Sequence, residues 1–161
     1  MRSNSLPPIS PFLLRVSLVL GVVGTLASLG VHVAALNGFV LSFGQAFPFH
    51  IAAIAVAAPV ILALIQRVEA ELGPPPAFSL AYPFRMNAVM FRLLSPVERG
   101  VFVLLLAYAL FRVLTGIPEA IRQPEEVFPV ALFSVFWLYF FAFSAMYARR
   151  LLALGSAESE A

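Results

Sequence analysis

Residues 11–38 read PFLLRVSLVLGVVGTLASLGVHVAALNG, and this stretch decides the fold. Arg15 is its one charge. Ser10-Pro11 supplies an N-cap and a proline at the first helical position, where its missing N–H costs nothing, and Asn37-Gly38 supplies the stop. A helix of roughly 25 residues from Phe12 to Leu36, rising ~1.5 Å per residue, covers the hydrocarbon of a bilayer with some tilt to spare. Arg2, Arg15 and the small residues Val33-Ala34-Ala35 raise a cleaved signal peptide as the competing reading, but an apolar signal region of ~7–15 residues is much shorter than this run.

Working outward, the next apolar run begins at Pro48 after a connector without charge and continues to Leu72, where Gly73 and Pro74-Pro75-Pro76 stop it. Pro59 in its middle removes a backbone hydrogen bond and is expected to kink the helix. A third run, 96–116, opens on Ser95-Pro96-Val97-Glu98, a capping box with proline at N1 and glutamate at N3. A polar linker, Ile117 to Glu126, precedes a fourth run, 127–148, that is rich in aromatic residues and halted by Arg149-Arg150. Aromatics all round a helix are what lipid contact and interface anchoring produce. Within the loop 73–95, Phe84 to Leu94 alternates apolar residues with Arg85, Asn87 and Arg92, compatible with a short amphipathic helix on the membrane surface.

Composition agrees with the runs. Of the 161 residues, 61% are hydrophobic and 11% charged, where soluble domains carry roughly a quarter charged residues. Long unbroken runs point to spanning helices, not to the alternating strands of a barrel. The expected fold is all-α: four transmembrane helices in an antiparallel bundle with a short cytoplasmic interfacial helix, in one membrane domain.

All ten basic residues are arginine. With four spans, eight of them (Arg2, Arg15, Arg67, Arg85, Arg92, Arg99, Arg149 and Arg150) share one side, and Arg112 and Arg122 the other. The positive-inside rule then places both termini and the proline-rich loop in the cytoplasm, in a bacterial inner membrane, with the turn between the first two spans facing outward. These arginines meet lipid headgroups, so a nucleic-acid partner is not expected.

Candidate chemistry is sparse. Cysteine and aspartate are absent, which removes disulfides, thiolate metal sites and a Ser-His-Asp set; no phosphate loop or His-Glu-x-x-His motif occurs, and no carboxylate stands in mid-span. Enzymatic activity is not expected. Ser17, Gly21, Thr25, Ser28 and His32 recur at helical spacing on the first span, and His50, Ala53 and Ala57 on the second, giving the small faces that let membrane helices approach closely.

Three readings of the two histidines stay open. His32 and His50 can hydrogen-bond across helices or to carbonyls of the turn, with no cofactor. They can ligate a b-type haem from facing helices at matched depth. Or they can join Arg112 and Glu119 in a proton or solute pathway, a small transporter or channel acting as an oligomer with Pro59 as hinge. Arg15, Glu98 and Arg112, within a turn or so of span ends, have the plainer reading of snorkelling or capping.

Val31-His32-Val33-Ala34-Ala35-Leu36-Asn37-Gly38, Phe47-Pro48-Phe49-His50, and Phe133-Ser134-Val135-Phe136-Trp137 through Arg149-Arg150 resemble pieces of small uncharacterised four-span bacterial inner-membrane proteins. That resemblance covers most of the chain and implies a membrane location, with no known activity. The leading expectation is an accessory or scaffolding subunit that packs against the lipid bilayer and other integral membrane subunits or itself.

Overall fold

A computed structural model describes residues 9–39, 41–74, 79, 81–122 and 130–159. Five helices follow one another: α1 (Pro11–Leu36), α2 (Phe43–Leu72), α3 (Ala81–Leu93), α4 (Pro96–Arg122) and α5 (Val130–Ser159). Three of them hold stretches long and apolar enough to cross a membrane, Pro11–Leu36, Gly44–Leu72 and Leu132–Ala157.

Local chemistry sets the boundaries. Ser10 caps α1, its hydroxyl accepting from Phe12 N–H. The helix ends in a Schellman turn: Phe39 N–H donates to Ala34 C=O at 3.0 Å and Gly38 N–H to Ala35 C=O at 3.1 Å. That turn needs a left-handed residue, and Gly38 takes φ +89°. Gly73 ends α2 at φ +78°. The capping box at α4 is formed, with Ser95 N–H donating to Glu98 Oε2 at 2.7 Å and Glu98 N–H to Ser95 Oγ at 3.3 Å.

Several boundaries differ from expectation. α2 starts at Phe43, a full turn before Pro48, because Ser42 and Gln45 make a second capping box; the helix then runs through both Pro48 and Pro59. α4 continues past Gly116 to Arg122, so Arg112 lies ten residues inside the helix end and not within a turn of it. The helix that holds the fourth run, α5, continues past Arg149-Arg150 to Ser159. The expected start of the fourth run at 127 falls outside the described residues. The short helix expected at Phe84 to Leu94 is present as α3, starting three residues earlier, at Ala81.

Two apolar clusters give the helix directions. Leu14 from the start of α1, Val60 and Leu64 from late α2, Leu94 between α3 and α4, and Tyr147 and Ala148 from late α5 pack together. Ala46 and Ala53 from early α2 join Val130, Trp137 and Phe141 of early α5, with Val31 and Ala35 of late α1 beside them. Consecutive long helices are therefore antiparallel, and the start of α1, the ends of α2 and α5, and the start of α4 share one end. That end holds α3 and the described carboxylates, and is called here the charged end.

α5 is the central helix, packed against α1, α2 and α4. Its aromatics accordingly do not face outward as expected: Trp137 and Tyr147 are 1% exposed and Phe141 and Phe143 are buried. The Phe141 ring lies over Gly24 on α1, where an added Cβ would come within 2.6 Å of it. A Cβ on Gly21 would come within 2.8 Å of Ala145 N and 2.9 Å of Phe141 O, so the two backbones touch at this point.

Candidate functional site: a polar layer around His32

Ser17, Gly21, Ser28 and His32 lie buried on the face of α1 that meets α5. Thr25 is half-buried and donates to Gly21 C=O at 2.7 Å, the local bond by which a hydroxyl satisfies itself inside a helix. Ala53 and Ala57 are buried on α2, Ala53 in the cluster with Trp137 and Phe141. Thus the small stripe of α1 is turned toward α5, not toward the small face of α2.

His32 forms the centre of the polar layer. Its Nδ1 lies 2.8 Å from Ser134 Oγ on α5 and its Nε2 lies 2.7 Å from Tyr108 Oη on α4. The tyrosine ring stands edge-on to the imidazole at 5.6 Å. One imidazole thereby joins three helices, with both nitrogens used and 4% of the residue exposed. Because a neutral imidazole has one N–H and one lone pair, one hydroxyl donates to it and the other accepts from it.

His50 belongs to a different environment. Its Nδ1 donates to Ala46 C=O, one turn back on its own helix, at 3.1 Å, and its ring stands edge-on to Trp137 at 5.1 Å and against Phe133 at 5.3 Å. The histidines therefore meet α5 at different residues.

This arrangement does not fit a bis-histidine haem. Such a site needs a lone pair on each imidazole aimed into a common cleft. His32 could offer one only by giving up Ser134 or Tyr108, and His50 is packed among indole and phenyl rings. Among the described residues no group of three or more histidine or acidic side chains comes together to hold a metal ion.

Arg112, one turn beyond Tyr108 on α4, is half-buried, and its Nε has no hydrogen-bond partner. Glu119, the other residue of the polar pathway expected from sequence, has its side chain outside the described residues.

A second polar cluster occupies the charged end. Glu98 is 7% exposed, and its carboxylate accepts from Arg150 Nε at 2.7 Å and from Arg149 Nη2, besides Ser95 N–H. Beside it Arg99 donates to three carbonyls at the end of α3, those of Phe91, Leu94 and Arg92 at 2.9, 3.0 and 3.2 Å. One guanidinium thus satisfies the orphan C=O groups of a short helix and ties it to α4. Arg92 pairs with Glu71.

Sequence reasoning missed Tyr108 and Ser134 as partners of His32, and Glu98 as the partner of two arginines. The signals were faint but present. Tyr108 stands four residues before Arg112, and Ser134 is one of only two serines among the aromatics of the last run. Comparison of the chain with known protein families, with curated proteins and with solved structures finds no match.

Proposed function

We propose that the chain is a four-span membrane bundle, with α1, α2, α4 and α5 crossing the bilayer and α3 lying along its surface, that acts as a non-catalytic subunit packing against other membrane proteins. The observation that carries this reading is the outer face of α4. Val97, Gly100, Leu104, Ala107, Phe111 and Leu114 alternate at spacings of three and four residues, the spacing of a seam for a partner helix. Leu104 is 71% and Leu114 74% exposed, and nothing lies within 4 Å of a Cβ built on Gly100. Gly100 and Ala107, at the second and fourth positions of the seam, allow close approach. Inside the membrane such a face meets lipid unless another helix covers it.

The same reading gives the orientation. Arg67, Arg85, Arg92, Arg99, Arg149 and Arg150 gather toward the charged end, which under the positive-inside rule is cytoplasmic in a bacterial inner membrane. A chain without cysteine suits single-cysteine labelling. Asn37→Cys is expected to react with an impermeant maleimide in intact cells, and Gly155→Cys only after permeabilisation. The reverse pattern contradicts the orientation, and both positions on one side contradict four spans.

For the partner, a photo-crosslinker is placed at Leu104 or Leu114 in native membranes, with Val19 and Leu26 on α1 as comparison. Discrete higher-mass adducts from α4 but not from α1 are expected. Equal, diffuse lipid adducts from all four positions would show that the face of α4 is merely lipid-exposed.

A further inference from the structure

The charged end carries more positive charge than it neutralises. On the four-span reading proposed above, on which this inference rests, eight of the ten arginines and five of the eight glutamates belong to it, the tail glutamates Glu158 and Glu160 included. The opposite end has two arginines against three glutamates. Within the charged end the excess gathers where α3, α4 and α5 meet. Glu98 brings one negative charge to two guanidiniums, those of Arg149 and Arg150. Arg149 donates to it through Nη2, and its side chain is 60% exposed.

Arg99, next to Glu98 in the chain, adds a third charge there. Its donors go to the carbonyls of Phe91, Leu94 and Arg92, and a helix C-terminus of this kind offers only about half a negative charge in return. The 3.2 Å bond to the Arg92 carbonyl sets Arg92 alongside, where its exposed side chain shares the exposed Glu71. One continuous run of contacts thus joins four arginines to two carboxylates.

The same corner exposes large apolar side chains. Phe84 on α3 is 78% exposed, and Val97, beside Glu98 in the first turn of α4, is 77% exposed. On α3, Phe84, Arg85, Ala88 and Arg92 are all exposed, at spacings that put them on one side of the helix. Guanidiniums interleaved with exposed apolar groups suit the boundary between lipid headgroups and acyl chains. A phosphodiester accepts from paired guanidinium N–H groups and brings the negative charge that the corner lacks. We propose that this corner is a binding surface for the headgroup of an anionic phospholipid, its phosphate taken by Arg149 in the field of Arg99 and Arg92. A zwitterionic phospholipid has the same phosphate but no net charge, so the surface discriminates between the two.

The full chain, delipidated in a nonionic detergent, is offered phosphatidylglycerol and phosphatidylcholine of identical acyl chains in equal amounts, and the lipids retained are counted by native mass spectrometry. A preference for phosphatidylglycerol is expected. Arg149→Gln is expected to reduce that preference roughly fivefold, the effect of about 1 kcal/mol for one arginine near an anionic surface. Arg149→Lys, which keeps the charge, is expected to lose less, and Arg122→Gln, at the far end of α4, is expected to leave the preference unchanged. In the unsubstituted chain, modification of Arg149 by phenylglyoxal is expected to slow with phosphatidylglycerol and not with phosphatidylcholine, a readout that does not depend on a variant folding.

Equal retention of the two lipids by the unsubstituted chain overturns the proposal. So does a preference that falls as far in Arg122→Gln as in Arg149→Gln, which would make it a property of overall charge. Protection of Arg149 by inorganic phosphate equal to that by phosphatidylglycerol overturns it as well, by assigning the corner to a soluble anion. The cysteine labelling described above tests the four spans separately: loss of the lipid preference with that labelling pattern intact overturns this proposal alone.

Discussion

α4 is fastened to the bundle at two places by opposite chemistry. At the charged end a carboxylate, Glu98, takes two arginines from the last helix. Ten residues further along, a phenol, Tyr108, meets an imidazole that in turn meets a serine, with no formal charge in the chain of bonds. The difference follows from the solvent at each depth. Arg149 is 60% exposed at its side chain, so its charge remains hydrated while it pairs. His32 has no such access, and neutral partners avoid the desolvation that a buried ion pair would incur. Depth in a membrane protein thus selects the kind of polar contact, and each fastening is expected to respond to a different perturbation.

The largest effect is expected from a change that parts α1 from α5, two of the helices that the neutral fastening joins. Gly21→Leu would drive a side chain into the backbone of Ala145 and Phe141, which cannot move aside as a side chain can. A loss of about 3 kcal/mol is expected, at the upper end for overpacking. Unfolding in a nonionic detergent followed by Trp137 emission measures it. A near-neutral Gly21→Leu would mean that α1 and α5 do not touch at this point.

Next in size comes the neutral fastening. His32→Ala removes two hydrogen bonds and leaves two hydroxyls in a buried layer. Membrane double-mutant cycles put single bonds at about 0.6 kcal/mol and at most about 1.7, so a loss of about 2 kcal/mol is expected for the pair with its packing. Tyr108→Phe is expected to cost less, since only one bond goes and the ring remains. If both variants are equally harmful, the Ser134 bond contributes nothing.

How much of this was legible in the sequence depends on which force sets each feature. The helices were readable because length, hydropathy and capping chemistry are local: Ser10-Pro11, Asn37-Gly38 and the Ser95–Glu98 box each do what their spacing implies. Helix ends were less readable where a proline looked like a start, because Ser42 and Gln45 provide an earlier cap and Pro48 is tolerated inside α2. The order of packing was not readable. An aromatic-rich last run suits lipid contact and a bundle centre equally well, and only tertiary contacts choose the centre. The same gap explains the site. His32 was visible as an unusual residue on a small face, but Tyr108 and Ser134 come from helices whose neighbours no local rule assigns. His50 shows the converse, a conspicuous residue whose described bond is to its own helix.

The charged fastening gives the smaller and more conditional effects. Glu98→Gln keeps the shape and one acceptor for Ser95 N–H but removes the charge that faces Arg149 and Arg150. With one arginine largely hydrated, a loss of about 1 kcal/mol is expected, the upper range for exposed pairs.

Salt resolves the comparison most finely. Raising ionic strength from ~0.15 M to ~1 M shortens the screening length from about 8 Å to about 3 Å. A double-mutant cycle on Glu98 and Arg150, measured at both salt concentrations, is expected to lose a few tenths of a kcal/mol of coupling at the higher one. The parallel cycle on His32 and Tyr108 contains no formal charge, and its coupling is expected to stay constant within error. Coupling that falls equally in both cycles would mean that ions reach the His32 layer as freely as the charged end, and the contrast between hydrated charge and buried neutral contact would fail at the point where it is most specific.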